Sequence, residues 1–192
     1  MNPDSALKDF IHIEKGIIPA DLCDYIVKDI KTREWKPHRW YYSLSDEHRS
    51  EKTMELDTQR ITPELQNLLL PIIIKGGDSY NRKYTYECEK ISNIIVQFGP
   101  AHFNRYSKGQ IMRQHQDHIH SLFDGTKKGI PVLSFVLNLN DDYEGADLFF
   151  WDDYIIKLGK GDLVMFPSPF LYPHGVTEAT KGTRYSAVTW AW

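Results

Sequence analysis

Cysteine is almost absent from this chain. Cys23 and Cys88 are the only two in 192 residues, and they form no C-x-x-C or comparable pair. A disulfide framework is therefore not expected, and both are read as buried or spare thiols. Long apolar runs are missing too: nothing approaches the roughly 18 to 20 consecutive apolar residues of a membrane span. The first ten residues, Met1 to Phe10, carry Asp4 and Asp9 where a secretory signal needs a basic start and an apolar stretch. The expectation is a soluble, cytoplasmic protein with no membrane partner. Neither sign of charge dominates, since 23 Lys and Arg against 26 Asp and Glu leave −3. That balance gives no global attraction to nucleic acid, so none is expected as a partner. No internal repeat or low-complexity tract is present. With 41% hydrophobic and 13% aromatic residues, the chain is rich enough in apolar surface to form an ordered core, and its length suits a single domain over 1–192.

The pattern changes near residue 90. Before it, Pro19 to Lys31 reads as a helix with Leu22, Tyr25, Ile26 and Ile30 on one apolar face. Pro63 to Ile74 returns to helical spacing, with Pro71 expected to bend or end its first part. Between them, Lys36 to Arg60 is dense in charge and hydroxyls, carries Trp40-Tyr-Tyr42, and reads as a long mobile connection that can serve as a lid. After about Lys90 come short β-like runs: 94–98, 101–106, 132–139, 148–151, 154–158, 162–166 and 184–192. Short strands without helices between them predict an antiparallel barrel or sandwich. Residues 1–90 are thus read as mainly helical support and substrate loop, and 91–192 as the catalytic β core. Along the last run, Arg184, Ser186, Val188, Trp190 and Trp192 share one face, with Tyr185, Ala187, Thr189 and Ala191 on the other.

Three of the eight histidines cluster in Arg113-Gln-His115-Gln-Asp117-His118-Ile-His120. In an extended stretch His115 and Asp117 project to the same side and can converge on one ion. Two imidazoles and a carboxylate on one face of an octahedron suit iron(II) and leave positions open for other ligands. Taken alone, His-x-Asp is more often a surface turn or an ordinary hydrogen-bonded pair. A third ligand is offered by His174, 57 residues after Asp117 and enough chain for four or five strands to return to the first. Taken alone, His174 reads as a turn residue. Arg184 lies ten positions further on. A guanidinium on an inward face needs a carboxylate or similar partner, supplied by an internal acid or by a ligand. Ser186 shares its face and can serve the same anion.

In order and spacing these pieces resemble the prolyl 4-hydroxylase-like branch of the 2-oxoglutarate/iron(II) dioxygenases. Tyr106-x-x-Gly109-Gln110 followed by His115-x-Asp117 is similar to that family's first motif. His174-Gly175-Val176 with Gly182-x-Arg184-Tyr185-Ser186 and Trp190 is similar to its last, and Leu139-Asn140 through Gly145-Ala146-Asp147-Leu148-Phe149 and Gly161-Asp162 through Phe166-Pro167 resemble the turn and strand between. The resemblance covers roughly 92–192. It implies a double-stranded β-helix, or jelly-roll, packed against N-terminal helices, with His115, Asp117 and His174 on iron. It implies Arg184 on the far carboxylate of 2-oxoglutarate, assisted by Tyr106 and Ser186, and Trp190 and Arg113 on the substrate side. His118 and His120 are not needed as ligands.

The implied reaction is hydroxylation of a C–H bond, with a prolyl residue as one candidate. It consumes 2-oxoglutarate and dioxygen, releases succinate and carbon dioxide, and is supported by ascorbate. Peptide, protein or small-molecule substrates, and a monomer or homodimer, fit equally. Pro131 stands where many relatives carry arginine, Ser134 where they carry Thr, and Ala146 where the turn has a second Gly, which leaves the substrate open. Alkylated-base demethylases share the ligand order but carry a second arginine where Trp190 stands. A jelly-roll that binds a metal or sugar without oxidation has no reason to hold Arg184 and Tyr106 at these distances from the ligands.

Overall fold

A computed structural model describes residues 5–38, 55–85, 95, 97–117 and 131–192. The chain opens with a single turn, α1 (Ser5–Lys8), followed by β1 (His12–Glu14), α2 (Ala20–Ile30), β2 (Lys36–Pro37), β3 (Asp57–Arg60) and α3 (Pro63–Thr85). Ten strands follow: β4 (His102–Tyr106), β5 (Met112–His115), β6 (Leu133–Asn138), β7 (Glu144–Gly145), β8 (Leu148–Phe150), β9 (Tyr154–Ile156), β10 (Leu163–Pro167), β11 (His174–Val176), β12 (Ala179–Lys181) and β13 (Arg184–Ala191). They form a seven-stranded sheet, β1-β10-β6-β13-β4-β3-β2, a four-stranded sheet, β5-β11-β8-β9, and the short pair β12-β7. The described strand ladders are antiparallel, and the sheets face one another without closing into a barrel. No described helix is long and apolar enough to cross a membrane.

Alternation along the central strands makes two cores. From β6, Leu133, Phe135 and Leu137 point to one side, where they meet Ile26 and Ile30 of α2 and Leu65, Leu69 and Ile73 of α3. From the other side of the same sheet, Val136, Val164 and Phe166 meet Leu148, Phe150 and Val176 of the smaller sheet. Being covered on both faces, β6 is buried at all six positions, and its two polar side chains, Ser134 and Asn138, fall with Val136 on the face turned to the smaller sheet. On β13, Tyr185, Ala187 and Ala191 join the helix-side core, as the period-two pattern predicts.

Three expectations are revised. The buried face of α2 is Cys23, Ile26 and Ile30, while Tyr25 is 56% exposed and Leu22 only partly covered. The second helix does not stop at Pro71 but runs 23 residues. Pro71 and Asn67 are both exposed, so the carbonyl left without an N–H partner by the proline lies on the solvent side. Gly76 keeps α3 close to the sheet, because a Cβ there would stand 2.4 Å from Leu163 Cδ2. Lastly, the connection from Lys36 to Arg60 contains β2 and β3, which extend the large sheet beside β4. The charge of its sequence had concealed the strand: Asp57 is bound by Arg105 at 2.8 Å, and Gln59 is buried with its amide on the Ile30 and Glu34 carbonyls. Residues 39–54, which include Trp40-Tyr-Tyr42, and His118 and His120 lie outside the described residues, so the lid reading and the entrance histidines do too.

Candidate metal and dicarboxylate site

The Tyr-x-x-Gly-Gln motif is a turn that hands the chain from one sheet to the other. Gly109 has φ 86°, a region costly to residues with a Cβ, and its N–H bonds the Ala179 carbonyl. The Gln110 side chain closes the turn by accepting the Ser107 N–H at 2.7 Å and reaches Asp57 with its amide. The chain then enters β5, which pairs with β11 so that His115 faces His174 and Met112 faces Val176. Three steps on β5 therefore oppose two on β11, a β-bulge. Gly175 sits at its centre, where a Cβ would lie 2.6 Å from the Met112 carbonyl oxygen and 2.7 Å from the Phe149 ring.

The bulge re-aims the side chains. Met112 and His115, three apart, both line the cavity between the sheets. Arg113, expected on the substrate side, does not line it. Its side chain is 45% exposed and its Nε pairs with Glu55 at 2.5 Å. Gln114 likewise turns away, donating to the Trp151 carbonyl.

His115, Asp117 and His174 offer one ligand atom each within 4.8 Å of one another. Nε2 of His115 is 3.3 Å and Nε2 of His174 3.6 Å from the Asp117 carboxylate. Both rings are oriented from behind, Nδ1 of His115 donating to the Arg113 carbonyl at 2.9 Å and Nδ1 of His174 to that of Tyr172 at 3.0 Å. That directs both Nε2 atoms inward, an arrangement common to metal-bound histidines. Phe166 packs edge-on against His174 at 4.7 Å. Burial pushes the His174 pKa down to about 4, with His115 adding to the effect and Asp117 opposing it. Burial also opposes charge on His115, but Asp117 outweighs it and raises that pKa. Asp117 is itself penalised by burial, yet His174, His115 and the Trp190 indole hold its carboxyl well below the usual range. Two imidazoles and one ionised carboxylate converge on one point, an arrangement that favours a positive charge between them. A divalent metal fits the same position.

The cavity beside the triad measures about 180 Å³. Arg184 lines it and is 1% exposed. Its Nε donates to Asn138 Oδ1 at 2.9 Å, its Nη1 to the Ala146 carbonyl at 3.1 Å, and its plane lies 5.5 Å from the Tyr106 ring. Nη2 has no partner among the described residues, and neither has the buried Ser186 Oγ on the same strand face. The internal-acid alternative for Arg184 is not realised there, since its hydrogen bonds go to an amide and a backbone carbonyl. Tyr106 is buried beneath it, which pushes its phenol up to about 12 while the Arg184 charge opposes. Trp190 lines the cavity and donates its indole N–H to Asp117, so it touches the triad as well as the cavity.

Several residues of the site were not singled out from the sequence. His102 and Asn104 alternate with Tyr106 on β4 and line the cavity with it; the same period-two argument applied to β13 would have found them. Asn138, which holds Arg184, occupies the inward face of β6. His38 lines the cavity from the end of β2, and no local pattern marks it.

Two histidines with inward Nε2 atoms and a carboxylate could hold a divalent metal, and the buried guanidinium beside them, with an unsatisfied N–H, could receive a small carboxylate. Residues 101–192 match the family model of the 2OG-Fe(II) oxygenase superfamily. A PKHD-type hydroxylase of Shewanella sp. (strain MR-7) is 38% identical over 125 residues, 62% of this chain and 55% of that protein. One of Acinetobacter baumannii (strain ATCC 17978) is 39% identical over 97 residues, 47% and 42% of the two. The chain spans about half the length of these relatives. Among solved structures, a Pseudomonas putida prolyl-4-hydroxylase matches with TM-score 0.67 at 22% identity, over 97% of both chains. A viral collagen prolyl hydroxylase of Paramecium Bursaria Chlorella virus-1, in its 2OG complex, matches with 0.66 at 16%, over 95% of this chain and 94% of the other. At such identities these likenesses speak for the jelly-roll fold. The family model, the PKHD-type relatives and the fold neighbours thus agree on what residues 101–192 are similar to, a 2OG-Fe(II) oxygenase domain.

Proposed function

We propose that this chain is one oxygenase domain over residues 1–192 that hydroxylates a C–H bond, a prolyl residue of a peptide or protein being the leading substrate. Iron(II) held by His115, Asp117 and His174, with 2-oxoglutarate and dioxygen, supplies the oxidising chemistry, releasing succinate and carbon dioxide; ascorbate keeps the metal reduced. The chain's own residues do the holding and shielding. The Arg113 and Tyr172 carbonyls fix both imidazole tautomers, and Phe150 and Phe166 exclude water behind His174. Arg184 binds the far carboxylate of 2-oxoglutarate through its Nη protons, with the Ser186 and Tyr106 hydroxyls beside it.

The observation that carries this reading is the orphaned Nη2 of a buried arginine in the same cavity as the triad. A structural arginine this deep would be expected to satisfy all its donors. The PKHD-type relatives and the prolyl hydroxylases of like fold support hydroxylation, and a prolyl substrate, by analogy. The test is succinate formation with iron(II), ascorbate and 2-oxoglutarate against proline-containing peptides, free amino acids and cell extracts, with mass spectrometry for a product one oxygen heavier. Metal-loaded protein that never consumes 2-oxoglutarate would refute the reading.

A further inference from the structure

The two histidines are oriented by main-chain carbonyls, whereas the partners of Asp117 are side chains. Ser134 donates to Oδ2 at 2.8 Å, and Ser134 and Ser168 are 2.7 Å apart, oxygen to oxygen. Ser134 lies on β6 and Ser168 just beyond β10, on adjacent strands paired at Phe166 and Ser134. Both are 1% exposed. Buried hydroxyls are retained at a penalty unless each proton is placed, and here the directions are forced. An ionised carboxylate only accepts, so the single Ser134 proton goes to Asp117. Ser134 must then accept from Ser168, giving a one-way chain Ser168 to Ser134 to Asp117 whose members polarise one another.

We infer that Ser134, backed by Ser168, is a positioning residue that fixes the rotation of the Asp117 carboxylate so that it presents one oxygen to the metal. This rests on the reading of His115, Asp117 and His174 as the iron ligands. A hydroxyl on Oδ2, which also lies 3.6 Å from His174 Nε2, occupies lone-pair density a second metal bond would use, while Oδ1 carries no such hydroxyl and stands 3.3 Å from His115 Nε2. A carboxylate free to turn would chelate with both oxygens and fill a position that 2-oxoglutarate or dioxygen requires. Ser134 thus preserves the open positions without touching metal or substrate.

The test uses the full chain and cobalt(II) as an oxygen-stable probe, titrated with and without 2-oxoglutarate and followed by the visible absorption bands. Ser134→Ala is expected to weaken cobalt binding by about 10- to 100-fold, as removal of partners to metal ligands does. It should also shift the band pattern and blunt the spectral response to 2-oxoglutarate. Ser168→Ala should move the same readouts in the same direction by less, and Ser134→Thr, which keeps the hydroxyl, should restore them. Melting of the metal-free variants separates misfolding from mispositioning, and if Ser134→Ala does not fold, Ser168→Ala carries the test with Ser134 in place. Wild-type affinity and spectra in both alanine variants would overturn the inference, as would failure of threonine to restore them. Those results leave the iron reading standing; wild-type protein that binds no cobalt would remove both.

Discussion

Replacing Arg184 by glutamine removes the one buried charge in the cavity that has no carboxylate beside it among the described residues. Its guanidinium is 1% exposed, with Nε and one Nη1 proton spent on Asn138 and Ala146. The remaining Nη protons are available to an incoming carboxylate, with the unpartnered Ser186 hydroxyl on the same strand face. Truncating one partner of a buried charge pair costs about 2 to 5 kcal/mol. The value here belongs at the lower end, about 2 to 3 kcal/mol, because only part of the guanidinium fork remains free. That raises the dissociation constant of 2-oxoglutarate about 30- to 150-fold. The metal-free variant should not suffer the large loss that follows breaking a buried ion pair, since no acid is left stranded. Calorimetric titration of 2-oxoglutarate into manganese(II)-loaded protein reads the first effect, thermal melting the second, and manganese affinity should be unchanged. A 2-oxoglutarate affinity within about threefold of wild type, under 1 kcal/mol, would make Arg184 structural and refute the argument.

His115→Ala and His174→Ala should each abolish iron uptake and turnover while the fold persists, because each removes one leg of a three-point site; full succinate production by either would contradict the ligand set. Gly175→Ala forces a methyl to within 2.6 Å of the Met112 carbonyl oxygen, and is expected to cost about 1 to 3 kcal/mol in a chemical melt. Because Gly175 adjoins His174 at the bulge, metal affinity should fall with stability, and an unchanged melt would show that the bulge gives way freely. Ala146 has φ 50°, a left-handed conformation costing an L-residue about 1 to 2 kcal/mol. Ala146→Gly relieves this against a smaller gain in unfolded-chain entropy, so the unfolding free energy should rise by up to about 1 kcal/mol, read as a raised denaturation midpoint. A lowered midpoint would mean that the methyl, fully buried in the inter-sheet core, contributes more by packing than it loses in strain.

What was legible in the sequence is what alternation carries over several residues. β13 and β6 are long enough for period two to declare both faces, so the helix-side core and the Arg184 face follow from the sequence alone. β11 has only three residues, too few for any periodicity, and His174 read locally as a turn. The bulge on β5 has no signature in that strand's own residues. Its requirement for close approach is written in Gly175 of the neighbouring strand, 60 positions on from His115, so nothing within β5 tells which of its side chains line the cavity. The run of α3 through Pro71 was hidden for the opposite reason, since a proline on the solvent side of a helix is tolerated where one facing the core would not be.

The division of the site between sheets explains why face-sharing was easier to read than contact. The histidines of the triad belong to β5 and β11 of the small sheet, with Asp117 just past β5, whereas Arg184, Tyr106, Asn138 and Ser134 belong to the large one. Within either sheet the neighbours follow from register; across the gap they depend on how the inter-sheet core packs, which no short stretch of sequence encodes. The two sheets are tied at the site through Asp117, which receives Ser134 and the Trp190 indole from the large sheet while facing both histidines of the small one. On the proposed assignment the histidines would hold the metal and Arg184 the dicarboxylate, and Asp117 would be the ligand bonded from the large sheet. A change in the packing of Ser134 or Trp190 would then reach a metal held at Asp117 without passing through either histidine, so the inner face of the large sheet, and not only the ligand strands, bears on the proposed metal site.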